Sequence, residues 1–515
     1  MRDHRPVNVF DFGAAGDGGT LDTAAVQQAI DACHEQGGGT VLFPTGGRFL
    51  IGSIQLRSHV TLEIAANAVV LGSRDMADYA IDAGLCPYYP EPMDRCLIYA
   101  TGAANIGLTG RGTINGQGIG PAFRQLPGTK GRDAEQRPML IRFVECENIS
   151  ITDLTLTNSA AWCVHLARSS NIRLSRVSIF NERQDGFNIE SCNDVTISDC
   201  NLRCGDDGIA LTANPAGRPL RNVTVTNCII YSNWAAVRLG PLSKDGFENI
   251  AVSNCIFYNC SGGGIKIGMY EGAVIRDCVF SNIVMDRVTC PILIFLGTWP
   301  EIGSAADSPP MMPVGEIRNL KFSHIRVNAI GRLGDRPDNN ATLFFHGHPQ
   351  QAVENITLND VHVTFPGGGS AEHAARRDII DVDEIDPGTG GYWTDNKDVW
   401  GVSPAYGLYA RHIKGLTLRD VRFELSADDA RPAVFCSESS EIEVLVLKAA
   451  CGAEAPAVLA ARDCQDVVID RARPLGPAGD LVRLEGEACR AISISNSRGD
   501  VSLADGASAD EVTEA

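Results

Sequence analysis

The feature that most constrains this chain is a short unit that keeps returning. NISITDLTLTN (148–158), NIRLSRVSIFN (171–181), DVTISDCNLRC (194–204), NVTVTNCIIYS (222–232) and NIAVSNCIFYN (249–259) fit one template. An Asn or Asp leads, apolar residues alternate with polar ones, a polar turn follows, and a second short apolar run closes the unit. Further copies are AVIRDCVFSN (273–282), NLKFSHIRVNA (319–329), NITLNDVHVTF (355–365) and GLTLRDVRFEL (415–425), with weaker ones at 441–447, 466–472 and 491–497. The first two steps, from 148 to 171 to 194, are 23 residues each; the next two, to 222 and 249, are 28 and 27.

Period-two alternation in runs this short marks half-buried strands. A unit of this size cannot bury its apolar face alone, so the units must stack. Coils of several short strands are the parallel β-helix solution, with equivalent positions about 4.8 Å apart on successive coils. The leucine spacing and helical half-repeats of a leucine-rich horseshoe are missing. The reading is all-β, a right-handed parallel β-helix in one domain over 1–505, with a tail at 506–515. Cys200, Cys228, Cys255 and Cys278 share a template position and are expected to form an internal stack. An open end of such a stack needs a cover. Thr23–Cys33 has the pattern of an amphipathic helix with Asp22 as its cap, so 7–45 reads as an N-terminal cap region. Spans 296–318 and 366–412 break the period and are expected to be substrate-side loops.

The net charge of −19 argues against nucleic acid, which calls for a clustered positive surface. It also means that an anionic sugar would need local cations. No run of 18 apolar residues exists, so no membrane span is expected. The opening MRDHRPVNVF lacks an apolar run of signal length, which points to a cytoplasmic protein unless a leader has been removed. The 17 cysteines sit mostly in strand-like runs and read as reduced core residues.

Each coil carries a third short strand, and these hold the polar residues: WCVHLA (162–167), DGFNIE (185–190), DDGIALT (206–212), WAAVRLG (234–240) and GGIKIG (263–268). Asp185 lies 21 residues before Asp206, almost one coil. Stacking therefore brings Asp185, Asp206 and Asp207 together on one face. Packed carboxylates raise at least one proton affinity, giving a donor beside an ionised base. Turn-capping aspartates and a calcium site are the alternatives for the same residues.

These motifs resemble glycoside hydrolase family 28, the polygalacturonase family, of the pectate-lyase-like β-helix superfamily. FGAAGDGGTLDTAAVQQAIDAC (12–33) and GRGTINGQG (110–118) look like the superfamily's opening markers. SAAWCVH (159–165) is similar to the bacterial form S-P-x-W-x-x-H. QDG (184–186) falls at the family's Asn-Thr-Asp-Gly and GDDGIA (205–210) at its Gly-Asp-Asp-x-Ile-Ala. The resemblance implies Asp206 as general acid, Asp185 and Asp207 as the pair that activates water, inversion at the anomeric carbon, and no cofactor. The implied partner is a galacturonate-containing pectic oligosaccharide; a different sugar, or an end-acting mode, would fit the departures described next.

Two departures stand out. The family's Gly-His-Gly appears as Trp234-Ala235-Ala236, and its Arg-Ile-Lys as Lys266-Ile267-Gly268. Arg238 supplies a new cation one coil before Lys266. Arg238 and Lys266 are candidates for a uronate carboxylate, Trp234 for stacking on a sugar ring, and His165 for a sugar hydroxyl or for tuning Asp185. Trp299, Tyr392, Trp393 and Trp400 could add a sugar subsite. His346-Gly347-His348 lacks acidic or cysteine partners in the sequence around it and reads as a substrate-side loop, not a metal site. Two other functions remain on the same scaffold: a polysaccharide lyase with Arg238 or Lys266 as base and calcium on the aspartates, and a non-catalytic carbohydrate-binding β-helix.

Overall fold

The computed structural model of the protein describes residues 5–80, 95–119, 123, 137–300, 310–334, 338–385, 397–476 and 479–514. The described residues up to Asn233 form one compact unit, and those from Trp234 onward a second.

In the first unit every coil contributes to three stacks of parallel strands. One stack runs through Glu147–Thr152, Ser170–Ser175, Asn193–Ser198 and Leu220–Thr226. A second runs through Thr155–Thr157, Ser178–Asn181, Asn201–Cys204 and Ile229–Ser232. The third holds Met139–Val144, Val164–Ala167, Phe187–Glu190 and Ile209–Thr212. Ile149, Ile172, Val195 and Val223 lie in one register column, all buried, so the alternation read from the sequence becomes a continuous apolar interior. The second unit has a stack of long parallel strands, among them Phe247–Tyr258, Val274–Val288 and Glu316–Ala329. A separate parallel stack there runs through Ala235–Leu239, Gly263–Met269 and Ile292–Leu296. The architecture is a right-handed parallel β-helix.

The template's leading Asn or Asp has a structural reason. Asn105, Asn148, Asn171, Asp194 and Asn222 all adopt left-handed backbone, with φ between 54° and 58°. Asparagine and aspartate tolerate that region better than other residues with a side chain. Their side chains then bond from coil to coil: Asn148 Nδ2 donates to Asn105 Oδ1 at 2.9 Å, Asn171 to Asn148 at 3.1 Å, and Asn222 to Asp194 at 2.8 Å. The ladder recurs in the second unit, where Asn319 donates to Asp277 at 2.8 Å and Asn355 to Asn319 at 3.0 Å.

The cysteine column is shorter than expected. Asn201 pairs with Ile229, which places Cys200 beside Cys228. Cys255, however, pairs with Ile283, and Cys278 pairs with Ile250 and Leu320. The unit after Asn249 starts at Asp277, not Ala273, so aligning the two cysteines was a shift of register. Every described cysteine is a free thiol, and all but Cys451 are buried.

Helix Thr23–Glu35 forms and buries Val26, Ala29, Ile30 and Cys33. It pairs with a strand edge through Gln27, whose amide accepts from Gln55 N at 2.8 Å and donates to Gln55 O at 3.1 Å. Asp22 makes no side-chain cap. Its carboxylate instead takes the backbone N–H groups of Ala15, at 2.6 Å, and Gly16, at 3.0 Å, so it ties the incoming chain and not the helix start. Among the described residues no helix is long and apolar enough to cross a membrane.

His346-Gly347-His348 is the end of a strand and the start of the turn that follows it. His346 ends strand Leu343–His346 and is fully buried. It also has acidic partners, supplied by the 366–412 insertion: His346 Nε2 lies 3.0 Å from Asp381 and His348 Nε2 lies 3.6 Å from Asp383. Arg411 lies 3.4 Å from Asp381, and Arg377 makes a two-pronged pair with Glu485 at 2.7 and 2.9 Å. Burial opposes the charge on Asp381, but His346 and Arg411 outweigh it and hold the carboxyl below its ordinary range. The described part of this insertion is therefore strapped onto the sheet. Trp400 and Trp299 are buried in packing with Phe344 and Tyr270 respectively; Tyr392 and Trp393 lie outside the described residues.

The asparagine turns can be tested. Asn171→Ala is expected to cost about 1–2 kcal/mol, because alanine resists left-handed backbone. Asn171→Gly should cost less, since it frees the backbone and loses only the exposed amide. Denaturant midpoints compare the two. A glycine variant as unstable as the alanine one would place the effect in the amide ladder.

Candidate active site

Asp185, Asp206 and Asp207 each bring one carboxylate oxygen within 4.8 Å of the other two. The third stack of the first unit positions them. Phe187 pairs with Ile209, a step of 22, so Asp185 stands in register with Asp207 and Gln184 with Asp206. Gly186 N donates to Asp207 O at 2.9 Å and Phe187 N to Gly208 O at 3.0 Å, which locks the two coils at this point.

The glycines beside the carboxylates are required by close approach. A Cβ on Gly205 would lie 2.0 Å from Glu182 O, and one on Gly186 would lie 2.6 Å from Gly208 O. Gly205 N also donates to Asn181 O at 2.7 Å. A side chain at either position would push the coils apart where the aspartates meet.

Asp185 and Asp207 are buried, whereas Asp206 is half-buried. Asp185 accepts from Asn188 Nδ2 at 3.0 Å and from Asp207 N at 3.2 Å. Two donors on one carboxylate favour its charged form. Three carboxylates this close repel one another when all are charged. The same three oxygens could hold a hard cation such as calcium. Burial, Cys163 and the three carboxylates push the Cys204 thiol well above its usual range.

Buried polar residues fix the surrounding backbone. Asn181 Nδ2 donates to Ala161 O at 3.1 Å and to Gln184 O and Asp185 O at 3.2 Å. Ser232 Oγ donates to Asp206 O at 2.5 Å. The sequence reading passed over Asn181, Asn188 and Ser232. Asn188 was legible as a polar residue three places after Asp185, in a strand otherwise apolar up to Glu190. The other two look like ordinary turn residues.

His165 does not reach the cluster surface. It is fully buried, in register with Asn188, and Nε2 lies 3.0 Å from Glu190 Oε2. Its ring meets Trp162 edge-on at 5.2 Å. Trp162, not His165, holds the station one coil before Asp185, since Val164 pairs with Phe187. Burial outweighs the attraction of Glu190 and lowers the proton affinity of His165.

In the second unit Arg238 and Lys266 stand in register, as do Ala235 and Gly263. Lys266 is buried with Nζ 4.2 Å above the Trp234 ring. Trp234 is half-buried and packs on Gly262, where a Cβ would lie 2.8 Å from the indole. The Arg238 guanidinium donates to Gly240 O.

Residues 33–375 match the family described as Glycosyl hydrolases family 28. The chain belongs to that family. A family 28 relative from Vitis vinifera, named "Probable polygalacturonase", is 31% identical over 299 residues, which are 54% of this chain and 60% of that protein. This chain thus spans less than two thirds of the length of that relative. The exo-poly-alpha-D-galacturonosidase of Dickeya chrysanthemi is 23% identical over 70% of this chain and 68% of its own length. The crystal structure of a hyperthermoactive exopolygalacturonase from Thermotoga maritima superposes with a TM-score of 0.62 at 18% identity, covering 82% of this chain and 92% of that one. At that identity the likeness establishes the fold.

The buried His165 sets a pH dependence. A histidine held neutral in the fold takes up a proton more readily once unfolded, so stability falls as pH drops below the ordinary value of 6.5. The wild type should lose more of its denaturant midpoint between pH 7 and about pH 5.5 than His165→Gln does. Equal losses would remove His165 from the acid sensitivity.

Proposed function

We propose that this family 28 chain hydrolyses galacturonosidic bonds in pectic oligosaccharides, releasing sugar from a chain end. The meeting of Asp185, Asp206 and Asp207 within 4.8 Å carries the reading. Asp206, the most exposed of the three, is the general acid that protonates the leaving glycosidic oxygen. Asp185 has its charge stabilised by Asn188 and the Asp207 N–H, and with Asp207 it orients and deprotonates water. Asn188 holds the Asp185 carboxylate and Asn181 its backbone carbonyl. The end-acting mode is supported by the names of several relatives, among them the exo-poly-alpha-D-galacturonosidase above.

The carboxylate spacing does not by itself favour inversion. An inverting acid and base are usually about 6.5–9.5 Å apart. Here the nearest oxygens are closer, so inversion is supported by the family resemblance alone. Arg238 and Lys266 are assigned to a uronate carboxylate on their shared register and on the resemblance of Lys266-Ile267-Gly268 to the family motif. Arg238 is the more accessible of the two.

A panel of pectic oligosaccharides, run with and without chelator and followed by product analysis, tests the assignment. Asp206→Asn should lose at least about 100-fold in kcat/KM, the low end for removal of a general acid. Activity should survive the chelator, and the first product anomer seen by NMR should be inverted. A chelator-sensitive reaction that yields an unsaturated, ultraviolet-absorbing uronate would make the protein a lyase. Unchanged turnover in Asp206→Asn would end the acid assignment.

In the same assay Asn188→Leu should raise the acidic limb of the pH–rate profile, because Asp185 loses a donor that favours its charge. A uniform drop with no shift in the limb would show that Asn188 matters only for packing.

A further inference from the structure

One outward column of the second unit is unlike its neighbours. Register pairs Arg326 with His362, His362 with Arg422, Arg422 with Lys448, and Lys448 with Arg473. The flanking residues Ile325, Val327, Val361, Val363, Val421, Phe423, Leu447 and Ala449 are buried, so alternation turns the five column residues outward. Arginine and lysine side chains thus occupy four of five successive rungs, about 19 Å in length at the usual strand spacing, while burial and the neighbouring Arg326 hold His362, on the second rung, below its ordinary proton affinity.

Like charges in register on adjacent strands repel. Another outward column of the same sheet avoids this: Glu248, Arg276, Arg318, Glu354 and Lys414 mix signs, and Arg276 pairs with Glu248 at 3.0 Å. In the basic column only part of the charge is answered. Arg326 and His362 share Asp360, at 2.9 and 3.6 Å, and Arg422 pairs with Glu424 at 2.6 Å. Among the described residues Lys448 and Arg473 have no ion pair. On a chain of net charge −19, four permanent cations on five successive rungs set this column apart from the mixed-sign column of the same sheet.

We propose that the column Arg326–His362–Arg422–Lys448–Arg473 is a second, non-catalytic binding surface for a linear polyuronate, held lengthwise along the stack. A polyuronate carries one carboxylate per ring, a repeat of the same order as the rise of one coil. Arginine and lysine side chains at successive rungs can therefore meet successive carboxylates of one extended chain. Bound carboxylates relieve the repulsion that the bare column carries. The choice of a uronate polymer rests on the proposed family 28 chemistry; the basic register does not.

The test uses the full chain carrying Asp206→Asn, so that polymer stays intact, with polygalacturonate as probe and neutral dextran as control. Combined Arg422→Gln, Lys448→Gln and Arg473→Gln should weaken polygalacturonate binding roughly tenfold, the scale expected for losing three exposed ion pairs. The same three changes in the otherwise wild-type chain should leave trigalacturonate cleavage unaltered. Binding of polygalacturonate that is insensitive to the triple change, or equal binding of dextran, would overturn the proposal. So would a loss of trigalacturonate cleavage matching the loss of polymer binding, with the circular dichroism spectrum unchanged. Charge-dependent binding of polymer by a chain that cleaves no pectic glycoside would leave this surface standing and remove only the hydrolase reading.

Discussion

Register between two coils is the constraint on which the candidate site depends. The carboxylates come from strand entries 22 residues apart and meet because Gly186 N bonds to Asp207 O and Phe187 N to Gly208 O. A slip of one residue would turn every side chain of the third strand to the opposite face. The asparagine turns resist such a slip, since each fixes where a strand begins and the amide ladder ties that point to the next coil. Shape complementarity at the glycines adds to this, because Gly205 and Gly186 leave no room for a different offset.

Polar groups inside the wall then convert register into side-chain placement. A buried amide or hydroxyl without a partner costs a few kcal/mol, so each one selects the arrangement that satisfies it. Asn181 spends its donor on three carbonyls around the Asp185 turn, and Ser232 holds the Asp206 carbonyl from the following coil. The three carboxylates sit on backbone that is held from behind, which is what the proposed acid–base roles would require.

Much of this was legible in the sequence, and the misses share a cause. Alternation and the leading Asn or Asp gave the coil, and the 21-residue offset gave the meeting of the aspartates. The coil at the third strand is 22 residues, so Asp185 faces Asp207 where the shorter count faced it toward Asp206. The Cys278 error has the same origin: local resemblance set the alignment, while the fold sets it by pairing. His165 looked available because three successive positions, Val164 to Leu166, carry no alternation; all are buried, as both sides of that strand are covered. The partners of His346 were invisible because Asp381 is 35 residues away, on an insertion whose docking no local pattern announces.

The departures from the family motifs are best understood as one coupled change. Ala235 stands opposite Gly263, and Trp234 opposite Gly262. A Cβ on Gly263 would lie 3.3 Å from Lys266 Cε, so the lysine stem runs across the glycine toward the Trp234 ring. Ala235 is completely buried. A side chain at Gly262 would displace the indole. Small residues at 235, 262 and 263 therefore accompany Trp234 and Lys266 as a set. Loss of the histidine removes a group that ordinarily titrates between pH 5 and 8. In its neighbourhood the cation is now a lysine held over an aromatic face, a contact worth about 0.5–2 kcal/mol. A larger side chain at Gly262 or Gly263 would therefore disturb the contact between Trp234 and Lys266.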